Sequence, residues 1–115
     1  MLAIKIPADT SEPIGFIDVD GNNWRAVASA IGGGCEYIEP FLTPLTAGYG
    51  LVGVADENGQ FGDQPPNPRS WPLYPVQNYT LRGNVLVMYE DDDSGDFHSV
   101  PEEYLSVVKH LLRAS

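Results

Sequence analysis

Carboxylates are the most concentrated chemistry in this chain: Glu90, Asp91, Asp92, Asp93, Asp96, Glu102 and Glu103 are seven of its sixteen Asp and Glu residues. Oxygen donors at Glu90, Asp92 and Ser94, followed by Gly95 at the sixth position, resemble the opening of a calcium loop. Such a loop needs a bidentate carboxylate at its twelfth position, where Pro101 stands. The run therefore reads as a solvated acidic turn, with Asp91, Asp92, Asp93 and Asp96 as candidate contacts for a basic partner. Asp18, Asp20 and Asn22 repeat the pattern in shorter form, and capping of the helix that follows accounts for them.

A second group of candidates rides on the proline-rich stretch from Pro65 to Pro75. There Asn67, Arg69 and Trp71 could offer an amide, a guanidinium and an indole to a small ligand such as a nucleotide, with Tyr74 as a further stacking group. The competing reading has Asn67 bonding backbone groups within the loop and Trp71 packing on a sheet. Gly32-Gly33-Gly34 follows a helix instead of preceding one, so the dipole end it meets has the wrong sign for a phosphate. His98 and His110 have no Cys, Ser or second His at a spacing that would build a triad or a metal site. Glu39, Asp56 and Glu57 are the carboxylates an enzyme would have to use, and nothing in the sequence activates a nucleophile beside them. No enzymatic activity, metal or cofactor is expected.

Charge and composition bound the alternatives. Six Lys and Arg residues against sixteen acids leave a net charge of −10, which disfavours direct contact with nucleic acid or anionic membrane. A hydrophobic content of 43% argues for a folded domain, and 115 residues suffice for a single domain spanning 1–115. The lone Cys35 excludes an internal disulfide and fits a reducing compartment as a buried, inert thiol. The amino-terminal apolar run is too short for a signal peptide, and no window approaches the roughly 20 apolar residues of a membrane span. A cytoplasmic protein is expected.

The elements that must position these residues follow from periodicity. Leu2, Ile4 and Ile6 alternate with Ala3 and Lys5 as in a half-buried strand, and Ile14 to Val19 is a partner for it. Trp24, Val27, Ala28 and Ile31 form a helical stripe behind the N-cap candidates Asp20 to Asn23, and the three glycines stop it. Trp24, Val27 and Ile31 are all expected to face the sheet. Cys35 to Leu42 is extended, with Glu36 and Pro40 marking a wet face or an edge. Gly50 to Ala55 reads as a strand leading into a tight hairpin turn at Asn58-Gly59. The prolines that follow stiffen an exposed arm toward polyproline II. Leu81 to Tyr89 contains the longest apolar run and belongs at the sheet centre. Ser99-Val100-Pro101-Glu102 has the form of a capping box, opening a final helix with Tyr104, Leu105, Val107, Val108, Leu111 and Leu112 on its apolar side.

Ile31-Gly32-Gly33, Ile38-Glu39, Asp56-Glu57-Asn58-Gly59, Pro65-Pro66-Asn67 and Gly83-Asn84-Val85, in that order, resemble a family of small uncharacterised domains of bacteriophages, actinobacteria and their mobile elements. The resemblance spans Trp24 to about Val87 and brings no reaction, cofactor or catalytic residue. It implies a small protein made inside an infected or plasmid-bearing bacterium, in the host cytoplasm if phage-encoded.

The expected architecture is α+β, an antiparallel or mixed sheet of four to six strands with two helices. The expected function is that of a non-enzymatic, phage-type accessory protein that binds a host protein through an acidic surface. A nucleotide-binding or sequestering protein and a DNA-mimic inhibitor of a host DNA-binding protein are the alternatives; mimicry needs carboxylates spread at phosphate-like intervals.

Overall fold

The computed structural model describes residues 1–41, 49–58, 64–73, 81–90 and 95–113. Strand β1 (Leu2–Ile6) pairs antiparallel with β2 (Gly15–Asp18), Leu2 opposite Asp18 and Lys5 opposite Gly15, as the alternation predicts. Helix α1 covers Trp24–Ile31, β3 Ile38–Phe41 and β4 Leu51–Asp56. Strand β5 (Val85–Glu90) lies between β1 and β4, and the sheet order is β2-β1-β5-β4-β3. A sixth strand, β6 (Phe97–His98), pairs with the far end of β5, and helix α2 (Glu103–Arg113) ends the described chain. Every strand pair is antiparallel, which makes this a small, compact α+β domain with a six-stranded sheet and two helices.

Each helix covers one face of that sheet. Val85 and Val87 join Ile4, Ile6, Leu51 and Ala55 beneath Val108 and Leu112 of α2. Leu86 and Met88, on the opposite side of β5, join Ala3, Val52 and Val54 beneath Val27 and Ile31 of α1. A strand sandwiched in this way needs apolar residues at consecutive positions, which is why β5 reads as an unbroken apolar run. All six residues of β4 are buried for the same reason.

Four expectations are corrected. The first concerns Trp24, which is 49% exposed while Val27, Ala28 and Ile31 are buried. It occupies the first helical position, directly after the cap Asn23 whose side chain accepts from the Arg25 and Ala26 amides, and its ring stacks on Tyr37. Second, among the described residues β4 pairs with β3 on one side and β5 on the other, and not with a strand just beyond Asn58. The Asp56 carboxylate accepts from the Asn58 amide at 3.0 Å and turns the chain there; Gly59 lies outside the described residues.

Third, Pro68–Leu73 is a 3-10 helix, not a polyproline II arm. Proline's fixed φ suits both conformations, and the Ser70 amide and hydroxyl, both donating to the Asn67 carbonyl, select the helical one. Fourth, the capping box at Ser99 does not form. The Ser99 hydroxyl accepts from the Leu2 amide at 2.8 Å, and the Val100 amide donates to the Leu2 carbonyl at 2.9 Å. Residues 99 and 100 thus continue alongside β1, and α2 starts only after a turn in which Tyr104 bonds Pro101. The Leu111 side chain lies outside the described part of the structure. Among the described residues no helix is long and apolar enough to cross a membrane.

Candidate functional site

The residues singled out on the proline-rich stretch turn inward. Asn67 is fully buried, and its amide donates to the carbonyls of Ile6 at 2.9 Å and Gly83 at 3.0 Å. Its backbone N–H donates to Leu81, and Gly83 returns a bond to Pro65. Nearby, Asn84 donates to the Ile31 carbonyl at the end of α1 and accepts from the Ala8 amide, while Gln64 donates to Gly33. The glycine pair after α1, the Pro-Pro-Asn loop and the Gly-Asn entry to β5 therefore meet at one end of the sheet. They form a structural latch of buried amides and backbone carbonyls, which satisfies groups the sheet leaves open.

Arg69 is likewise committed to the fold, donating to the backbone carbonyls of Pro7, Asp9 and Glu12. Trp71 belongs to the 3-10 helix, but its side chain, like Tyr74, lies outside the described residues. So do Asp91, Asp92 and Asp93; Asp96 is exposed beside β6. Asn22 bonds both backbone groups of Phe97, so the end of the acidic run is tied to the segment that leads into α1. Asp20 accepts from the Asn22 amide and Asp18 from the Met1 amino group, so these residues do not cap α1 as expected; Asn23 does. Of the three carboxylates an enzyme could have used, Asp56 is buried in its turn, while Glu39 and Glu57 are exposed. No group of three metal-ligating side chains occurs among the described residues.

The feature that stands out at the surface was not read as a site from sequence. Trp24 and Tyr37, 49% and 55% exposed, lie with ring centroids 6.5 Å apart and planes within 5° of parallel. The Arg25 guanidinium sits 5.3 Å from the Trp24 ring centroid, within the range of a cation–π contact. These three residues, with Ala28, Cys35 and Glu36, line a pocket of about 320 Å³. The reversal through Gly32 to Gly34, all three with positive φ, brings Tyr37 back beside the first turn of α1. Glu36 is the acid that lines this pocket, and the Glu57 amide donates to the Tyr37 carbonyl at 3.0 Å; Glu39 stands opposite Ala55 of the α2-side cluster and so faces the other side of the sheet. The signal was available: a tryptophan directly after an N-cap has no preceding turn to bury it, and a tyrosine after a glycine reversal lies within its reach.

At the base of this pocket Cys35 donates to the Tyr37 carbonyl at 3.4 Å. Burial, and the Asp56 carboxylate beside it, push the Cys35 thiol up to about 11. A thiol so held stays protonated at neutral pH and is a poor nucleophile.

Fold and surface together define a small α+β domain whose buried polar residues serve its structure and whose Trp24 and Tyr37 rings stack at one exposed edge. A family model for a domain of unknown function, DUF3846, matches residues 1–113, and the chain belongs to that family. The match extends well beyond the stretch from Trp24 to Val87 that carried the sequence resemblance. Nothing among curated proteins or solved structures matches the chain.

Proposed function

We propose that this protein is a non-enzymatic binding module that docks a basic protein through the edge formed by Trp24, Tyr37 and Glu36. The stacked, half-exposed Trp24–Tyr37 pair carries the reading. Tryptophan, tyrosine and arginine dominate binding energy at protein interfaces, and large rigid rings bring contact area at little entropic cost. A net charge of −10, with Glu36 exposed beside the rings, favours a basic partner. Asp91, Asp92, Asp93 and Asp96 add to the field that attracts it. Following the sequence resemblance, the protein is a phage-type accessory factor and the partner a protein of the host bacterium.

A nucleotide is the weaker candidate at this pocket. Its base could stack on the rings, but its phosphates would meet the Glu36 carboxylate in a chain of net charge −10. The two readings separate in one comparison, affinity capture from bacterial lysate with the wild type and a Trp24→Ala/Tyr37→Ala variant, alongside mass spectrometry of small molecules released from each. The expected result is a basic protein retained by the wild type and lost by the variant. Equal retention by both would remove the aromatic edge as the docking surface.

A further inference from the structure

On the other side of the molecule a second pocket has the opposite chemistry. It has a volume of about 370 Å³ and is lined by Pro13, Ile14, Arg69, Lys109 and Leu112. Two of the chain's six basic residues thus meet in one concavity of a protein with sixteen acids. Neither forms an ion pair, since among the described residues no carboxylate lies within ion-pair distance of Arg69 or Lys109. Arg69 donates to three backbone carbonyls, which fix the guanidinium in place without cancelling its charge. Its Nε is buried and has no hydrogen-bond partner among the described residues. Asp9 and Glu12, whose backbone carbonyls Arg69 bonds, are both exposed, and the Asp9 carboxyl is held below its ordinary value by the hydroxyl and amide of Ser11 and, as a smaller contribution, by the Arg69 charge.

We propose that this pocket binds a small organic anion, a carboxylate or phosphate head carried on an apolar body. The head would pair with the Lys109 ammonium in the fixed positive field of Arg69, and the body would lie against Pro13, Ile14 and Leu112. Small-ligand sites combine an apolar lining with a few convergent polar groups in this way, and the volume falls within their usual range of roughly 300–1,000 Å³. The repulsion of the remaining acids does not forbid it, because charges more than about 8 Å away are screened at physiological ionic strength. The proposal is independent of the aromatic edge.

The test is an NMR titration of the full chain with octanoate, octyl phosphate and octanol, using the wild type and Lys109→Met. Methionine keeps an apolar stem and removes the charge, and it leaves untouched the three carbonyl bonds of Arg69 on which the fold depends. Octanoate and octyl phosphate should shift the amides of Ile14, Lys109 and Leu112 at millimolar concentration, and octanol should bind roughly tenfold more weakly, as expected for loss of one hydrogen bond to a charged group. Lys109→Met should weaken both anions roughly tenfold and leave octanol unchanged. Equal binding of octanol and octanoate by the wild type would overturn the proposal, as would unchanged anion binding in Lys109→Met or no binding of either anion at millimolar concentration.

Discussion

Asn67 and Ile6, sixty-one residues apart, are joined inside the core by a bond from the Asn67 amide to the Ile6 carbonyl at 2.9 Å. The second amide hydrogen goes to Gly83, so one side chain closes the gap between the end of β1 and the entry to β5. Asn67→Ala would leave two buried carbonyls unpaired, at about 1–3 kcal/mol each when nothing replaces the donor. The Oδ1 atom is buried with no partner among the described residues, so its removal relieves a desolvation cost and offsets part of that loss. Asn67→Ala should lower stability by about 2–4 kcal/mol in denaturant unfolding. Asn67→Asp should be worse near neutral pH, where a carboxylate would face the same two carbonyls. A loss under about 0.5 kcal/mol for the alanine variant, the level of an ordinary surface change, would show that the latch is not structural.

Ser99 separates two roles that its sequence context leaves indistinguishable. A capping serine supports the first turn of its helix, whereas this one accepts from the Leu2 amide on β1. Ser99→Ala should therefore cost about 0.5–1.5 kcal/mol in unfolding free energy while leaving helix content by circular dichroism unchanged. Faster hydrogen exchange at Leu2, with no change at Glu103 and Tyr104, is the expected local signature. Fraying confined to the start of α2 would restore the capping role.

What was legible in the sequence, and what was not, divides along one physical line. The pairing of β1 with β2, the central place of β5, the buried stripe of α1 and its glycine stop depend on local periodicity or on residues with special backbone freedom. Those features are written in neighbouring residues. The ties of Arg69 to Pro7, Asp9 and Glu12 end on backbone carbonyls some sixty residues away, and a carbonyl leaves no mark in a sequence. Trp24 fits the apolar stripe whether or not the sheet extends beneath it, so only the tertiary position of the first helical turn decides its exposure. The Ser99 pattern fails similarly, because the competing donor on β1 lies ninety-seven residues away.

Cys35 should behave as a reluctant nucleophile. Its thiol, pushed up from 9.0 to about 11, is neutral in the folded protein where an unfolded chain would already be ionising. Folding therefore favours the protonated form. That contribution to stability is complete below about pH 9 and is lost as pH rises through 11. The rate of reaction with iodoacetamide should rise with a midpoint near pH 11 in the native protein, and Asp56→Asn should move the midpoint downward by removing the neighbouring charge. A native midpoint near that of a free thiol would mean that Cys35 is open to water.

The docking surface makes separate demands on the two rate constants of association. Carboxylates act at a distance and steer encounter, so Asp92→Asn/Asp93→Asn should slow association with the captured basic protein at low salt and flatten its dependence on ionic strength. Dissociation should change little, and stability should be unchanged or slightly raised, because like charges in one run repel each other. Trp24 acts only at contact. Its truncation to alanine should leave the association rate within its usual narrow range and raise the dissociation rate by roughly thirtyfold, the effect of an anchor worth about 2 kcal/mol. Surface-based kinetics at several salt concentrations measure both. If the double Asn variant associated at the wild-type rate at every ionic strength, Asp91 to Asp93 would be a solvated run with no part in encounter. If Trp24→Ala left dissociation unchanged, the stacked pair would be surface packing and the partner would bind elsewhere.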